Sequence, residues 1–199
     1  YYLSPNAFLD RSMPLLPKGG RYVAVSAGSY HAILLRDDGV AVVFGDNSNG
    51  QCNAPSSAAG TRYVTAAAGH EHSILIRDNG EAVAFGNRNH GRCDIPVLPS
   101  GCGYVAAAAG RQHSILLRSD GMAVAFGSND FGECDIPRLP PDTRYTDISA
   151  GYWHSILVRD DGIAIAFGDN SRRQCNIPVA PSGSRYIAAD AGWYQSILV

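Results

Sequence analysis

The sequence predicts an all-β propeller. Three observations carry that reading: a 41-residue repeat running nearly end to end, three strand-length segments in each repeat, and a glycine-containing turn between the second and third segments. Gly28, Gly69, Gly110, Gly151 and Gly192 set the period. Each sits in the phrase alanine, glycine, two variable residues, then His31, His72, His113, His154 or, in the fifth copy, Gln195. One such unit makes a sheet too small to bury both faces, so the units must stack as blades.

Within a unit the segments are residues 104–109, 113–118 and 122–127. Each is about six residues long, rich in Val, Ile, Leu, Ala and Phe, and bounded by glycine, which fits strands and is too short for isolated helices. Asp38-Gly39, Asn79-Gly80, Asp120-Gly121 and Asp161-Gly162 are read as two-residue hairpin turns, with glycine supplying the positive φ. The remainder of each unit, such as 93–101 with Pro96 and Pro99, allows at most a short fourth strand at a sheet edge, because proline cannot donate to a ladder. The alanine-rich first strand is expected innermost, where blades converge, with Phe44, Phe85, Phe126 and Phe167 filling the space between blades farther out.

The expected organisation is a single domain over 1–199, with units 22–62, 63–103, 104–144 and 145–185 and a fifth blade made from 186–199 plus 1–21. Stepping back by 41 from the first unit places Pro14 on Pro55, Asn6 on Asn47 and Tyr1-Tyr2-Leu3 on Val42-Val43-Phe44. The chain thus starts inside a third strand and ends in a second one. A five-bladed ring would close by pairing the N- and C-terminal strands, removing exposed edges; an arc of a larger, seven-bladed ring is the alternative.

Net charge is −2, with 16 basic residues against 18 acidic ones, so no broad cationic field exists to hold a nucleic-acid backbone. No apolar run approaches the roughly 20 residues of a membrane span, which points to a soluble chain, and the start at Tyr1 to a fragment or processed product. Cys52, Cys93, Cys134 and Cys175 fall in one repeat column and Cys102 lies outside it. Equivalent positions in successive units point the same way, so these are read as reduced thiols rather than disulfides, fitting cytoplasm or nucleus with secretion left open. No Cys-x-x-Cys pair or converging carboxylates mark a metal site, and no cofactor is expected.

The phrase Ala109-Gly110-x-x-His113-Ser114-Ile115-Leu116-Leu117-x-x-Asp120-Gly121, followed by Ala125-Phe126-Gly127-x-Asn129-x-x-Gly132-x-Cys134, resembles the regulator of chromosome condensation repeat. The resemblance covers nearly the whole chain. It implies a β-propeller in a family that includes guanine-nucleotide exchange factors for a small nuclear GTPase, substrate-binding parts of HERC-type ubiquitin ligases, plant ultraviolet receptors and a propeller-type β-lactamase inhibitor. This chain departs from the pattern in having Phe where the family usually has Trp before glycine, a shorter repeat, and five units where rings usually have seven.

The histidine column recurs in nearly every unit, and both His and Gln donate and accept, so its expected role is a hydrogen bond holding the loop against neighbouring backbone. A Ser-His-Asp triad is disfavoured because a strand separates the His-Ser loop from the Asp-Gly turn, and no phosphate-binding loop occurs. No catalytic residue is assigned. The Asn47, Asn129 and Asn170 column is expected to cap its own turn.

Function is expected where the repeats disagree. In an up-down-up sheet the loops after the first and third strands open on one face. That face collects Tyr30, His70, Glu71, Arg111, Gln112, Tyr152, Trp153, Trp193 and Tyr194 from the first set, and His90, Phe131, Arg172 and Arg173 from the second. Exposed Trp, Tyr and Arg supply most of the energy at protein interfaces. The expected partner is therefore another protein, with a small GTPase or a ubiquitination substrate implied by the resemblance. A sugar-binding ring would need near-identical pockets, which these unequal loops do not offer.

Overall fold

Four hairpin-rich sheets of the same design, followed by a shorter fifth, make up the computed structural model, which describes residues 16–199. Blade 1 has β1 (Tyr22–Ala27), β2 (His31–Arg36) and β3 (Ala41–Gly45); blade 2 has β4 (Tyr63–Ala68), β5 (His72–Arg77) and β6 (Ala82–Gly86). Blade 3 has β7 (Tyr104–Ala109), β8 (His113–Arg118) and β9 (Ala123–Gly127), and blade 4 has β10 (Tyr145–Ala150), β11 (His154–Arg159) and β12 (Ala164–Gly168). Blade 5 contributes β13 (Ala189–Ala191) and β14 (Ser196–Leu198). All pairings are antiparallel between consecutive strands. Among the described residues the proline-bearing tails form no fourth strand.

The hairpin turns differ from the expected two-residue type. Arg36 N donates to Val40 O and Gly39 N to Arg36 O, and Asp38 does not have positive φ whereas Gly39 does, at 80°. That is a three-residue loop, a tight turn followed by a left-handed glycine bulge, with the Asp38 carboxylate accepting from Val40 N and pairing with Arg36. A second irregularity recurs at the start of each first strand, where Val23, Val64, Val105 and Thr146 are skipped in the register and face solvent.

Blades pack face to face through apolar side chains. Ile33 and Leu35 of blade 1 meet Tyr63, Ala68 and Leu75 of blade 2; Ile74 and Ile76 meet Tyr104 and Leu116; Ile115 and Leu117 meet Tyr145, Ile148 and Leu157. Phe85, Phe126 and Phe167 pack against these three clusters, as expected of an inter-blade filler. In blades 2 to 5 a tyrosine at or just before the first strand also clips the preceding tail: the hydroxyls of Tyr63, Tyr104, Tyr145 and Tyr186 donate to the carbonyls of Pro55, Pro96, Pro137 and Pro178 at 2.7–3.0 Å.

At the axis the glycine column lets backbones touch. A Cβ on Gly110 would lie 2.3 Å from His113 Cε1 and 2.6 Å from the Gly151 carbonyl oxygen, so any side chain there would push blades apart. The histidine column acts across this seam. His31, His72, His113 and His154 each place Nε2 2.8–3.1 Å from the hydroxyl of the next blade's Ser73, Ser114, Ser155 or Ser196. Each serine donates its single proton to a backbone carbonyl, of Gln51, Arg92, Glu133 or Gln174 respectively, so it accepts from the imidazole N–H. The sequence reading had each histidine holding neighbouring backbone; the contact reaches it through a serine of the following unit.

The strand proposed to close the ring, Tyr1–Leu3, lies outside the described residues, as do Asn6 and Pro14. Among the described residues each terminal blade carries an exposed apolar side chain, although Leu34, the partner of Val25 in blade 1, is buried. Val25 of blade 1 is 71% exposed and Ile197 of blade 5 is 58% exposed, whereas Ile33, Ile74, Ile115 and Ile156, which match Ile197, are wholly buried.

Burial drives the inter-blade histidines towards the neutral form, taking His31 to about 4 and His72 and His113 to about 3. Their Nδ1 atoms are buried without a partner, so a second proton there would put an unsolvated charge in the seam. A folded-state value below the unfolded one means that the unfolded chain binds protons first, and stability falls as pH drops from about 6.5 towards these values. Urea titrations between about pH 7 and about pH 5, above the usual carboxylate range, are expected to show a decline of up to about 1.4 kcal/mol per pH unit per histidine. His72→Gln should reduce that slope; an unaltered slope would contradict the assignment.

Candidate partner-binding face

Each first strand ends in Ala-Gly at the axis, and the next two side chains are thrown onto one end of the assembly. The loop after the third strand is fastened beside them by backbone bonds, Asp46 N to Tyr30 O, Asn87 N to Glu71 O, Ser128 N to Gln112 O and Asp169 N to Trp153 O, all 2.8–2.9 Å. Both variable loop sets therefore share an end. The glycine turns sit at the other, where their carbonyls accept from the first strand of the following blade, as Gly80 O does from Tyr104 N.

At the axial mouth the Ala-Gly steps of all five blades floor a cavity of about 190 Å³, walled by Ser29, His70, Arg111, Tyr152 and Trp193. Around it the rings form one connected cluster. Tyr30 meets His70 edge-on at 4.9 Å, and His70 meets Tyr152 at 5.7 Å. Tyr152 is the hub, also touching Trp153, Trp193 and Tyr194 at 5.5, 4.9 and 6.0 Å, and Phe131 extends the cluster through Trp153. Three of these pairs are edge-to-face, an arrangement that ring quadrupoles favour, and three are tilted.

Two arginines complete the surface. The Arg111 guanidinium carbon lies 4.7 Å from the Tyr152 centroid and 4.5 Å from that of Trp153, and Arg172 stands 4.9 Å over Tyr194. Glu71 accepts from Asn87 Nδ2 at 2.8 Å and lies 3.6 Å from Arg92 Nη1 and 3.7 Å from His70 Nδ1. His70 is held below its ordinary value, chiefly by burial and further by Arg111 and Arg92, against the opposing pull of Glu71. Burial raises the Tyr152 phenol.

Of the residues selected from sequence, Tyr30, His70, Glu71, Arg111, Phe131, Tyr152, Trp153, Arg172, Trp193 and Tyr194 come together. Gln112, His90 and Arg173 do not join these ring and ion contacts. His90 is exposed on the 3-10 turn Asn89–Gly91 with φ 62°, and Arg173 has φ 66° where the matching residues Gly50, Gly91 and Gly132 are left-handed glycines. Arg92 was missed. Its column otherwise holds Gln51, Glu133 and Gln174, whose buried side-chain oxygens accept from their own turn at Asn49, Phe131 and Arg172. Arg92 can only donate, so it reaches the Arg111 carbonyl of the next blade at 3.1 Å. An arginine interrupting that acceptor column was the signal available.

Three of the four His-Ser pairs offer no access for chemistry: Ser73, Ser114 and Ser155 are wholly buried and their protons are committed to carbonyls. The asparagine column caps as expected, with Asn47, Asn129 and Asn170 accepting from the backbone N of Cys52, Cys134 and Cys175. The cysteine column is more than apolar filler, since these thiols and that of Cys93 reach the carbonyls of Asp46, Ser128, Asp169 and Asn87. Burial pushes Cys134 to about 12 and Cys175 to about 11, which suppresses thiolate chemistry. No helix among the described residues is long and apolar enough to cross a membrane.

Residues 22–51, 104–133 and 145–174 match the regulator of chromosome condensation repeat. Similar solved structures include Prp20p of Saccharomyces cerevisiae, which binds Gsp1p and histones, with TM-score 0.79 and 18% identity over 93% of this chain and 57% of Prp20p. Human WBSCR16 gives 0.76 and 17% over 95% of this chain and 60% of its own. The CRINKLY WD40 ectodomain of the Arabidopsis thaliana receptor kinase ACR4 gives 0.63 and 21% over 92% and 61%. The chain thus spans about three fifths of the length of these structures, and the likeness is one of fold. No curated protein sequence matches it.

Trp193 is 53% exposed whereas Trp153 is half-buried beneath Arg111 and Phe131. With single-tryptophan variants, Trp153→Phe, which retains Trp193, is expected to be quenched by acrylamide at least twofold more efficiently than Trp193→Phe. Equal quenching would mean that the two rings are not arranged in this way.

Proposed function

We propose that this chain, built from regulator of chromosome condensation repeats, is a non-catalytic scaffold that binds another protein through the aromatic and arginine face. One observation carries the reading: side chains from all five blades, at positions where the repeats differ, form a single continuous surface around Tyr152. Trp, Tyr and Arg in such a cluster bury large area while losing few rotors, and Trp193, Tyr194 and Phe131 stand exposed at 53%, 39% and 49%. Binding would proceed by shape complementarity and exclusion of water at this centre. The cluster is single and asymmetric, which suits one protein partner better than five equivalent sugars.

A second reading is guanine-nucleotide exchange on a small GTPase. Its support is the likeness in fold to Prp20p, a protein that binds Gsp1p, and the chain covers 57% of that structure. Substrate recognition within a HERC-type ubiquitin ligase follows from the repeat resemblance alone. Exposed Ile197 is compatible with a closed ring of five blades and with an arc of a larger ring alike, because the strand that would cover it in the closed ring lies outside the described residues.

A pull-down comparing the native chain with the Trp153→Ala, Trp193→Ala double variant tests the leading reading, with circular dichroism confirming both folds. The expected result is at least tenfold loss of a specific partner in the variant. Retention of every partner would move the site elsewhere. Accelerated nucleotide release from a purified small GTPase would favour the exchange reading.

A further inference from the structure

Arg111 is the one cation in the wall of the axial cavity whose charge has no carboxylate. Among the described residues its guanidinium makes no ion pair, and its Nε is buried with no hydrogen-bond partner. Its guanidinium carbon lies over the rings of Tyr152 and Trp153, which attract positive charge but offer no hydrogen-bond acceptor to its N–H groups. The nearby carboxylate, Glu71, is committed elsewhere, to buried Arg92, to Asn87 and to His70. Arg92, which stands where other blades carry Gln or Glu, adds a second positive charge behind the same wall. The mouth therefore holds two arginines against one carboxylate, with the donors of the outer arginine unused.

We propose that the axial mouth receives one carboxylate side chain, Asp or Glu, from a loop of the partner protein, and that Arg111 is its anchor. This rests on the reading of the face as a protein-binding surface and names the chemistry of that partner. Size selects a side chain rather than a metabolite: about 190 Å³ lies below the roughly 300–1,000 Å³ of pockets that enclose drug-sized ligands. The Ala-Gly floor suits the methylenes of an inserted residue, while the Arg111 guanidinium, held over two rings, carries the planar donor fork that a carboxylate matches. The surrounding rings exclude water and strengthen the charged bond.

The test uses the full chain and the blocked peptide acetyl-Gly-Glu-Gly-amide, with its Gln counterpart, followed by intrinsic tryptophan fluorescence at constant ionic strength. The Glu peptide should produce a saturable change at least tenfold tighter than the Gln peptide. Arg111→Met should abolish the difference, while Arg111→Lys, which keeps the charge and loses the fork, retains part of it and guards against a folding defect. Equal response to both peptides, or an unaltered response in Arg111→Met, would overturn the anchor. Acetate or inorganic phosphate saturating the same signal as tightly as the Glu peptide would also overturn it, showing a free-anion site. Partner capture that depends on Trp153 and Trp193 but is indifferent to Arg111→Met would remove the anchor and leave the binding surface standing.

Discussion

Everything in this molecule depends on how closely one blade approaches the next at the axis. Glycine makes the approach sterically allowed, and the imidazole, hydroxyl and carbonyl chain makes it specific, since His72 is fixed to Ser114 of the following blade and Ser114 to the carbonyl of Arg92. The chain of bonds leaves no polar hydrogen unused at its centre, and burial keeps the imidazole neutral. Hydrophobic contacts such as Ile74 with Tyr104 and Leu116 supply bulk attraction, but they would tolerate sliding. The polar seam sets the register between blades, and with it the positions of the two side chains that follow each glycine.

That register explains why the variable residues form a surface. The residues between each axial glycine and the next strand are carried to the same height at successive angles around the axis. Ser29, His70, Arg111, Tyr152 and Trp193 consequently wall one cavity although 41 residues separate each from the next. Side chains that would be scattered in an extended array become contiguous, with Tyr152 of blade 4 touching rings from blades 2 and 5. The scaffold is uniform and the surface is not, which is the arrangement expected when repeats carry stability and loops carry recognition.

Much of this was legible in the chain itself. Period, strand lengths and proline placement gave the three-stranded unit, and the alternation of loop ends predicted that Tyr30, Arg111 and Trp153 would share a face. What sequence could not supply was pairing between units. The recurrence of the histidine points to a hydrogen bond with neighbouring backbone, but not to its route, in which His113 meets Ser155, forty-two residues on. Asp38-Gly39 looked like a two-residue turn because the dipeptide serves both turn types, and the difference lies in the φ of Asp38. Arg92 was overlooked because a buried arginine announces itself through partners such as the Arg111 carbonyl, which lies in another blade. His90 and Arg173 were grouped with the face by loop membership, but their left-handed backbone belongs to turn geometry.

The central claim is that recognition lies at the end of the blades bearing Tyr152 and that the glycine-turn end is scaffold. Hydroxyl-radical footprinting of the chain bound to a captured partner addresses it most directly, because both ends carry reactive exposed side chains: Trp193, Tyr194 and Phe131 at one, Met122 and Ile163 at the other. The account predicts that the aromatic residues lose reactivity on binding while Met122 and Ile163 are unchanged. Protection of Met122 and Ile163 with the aromatics left fully reactive would contradict it.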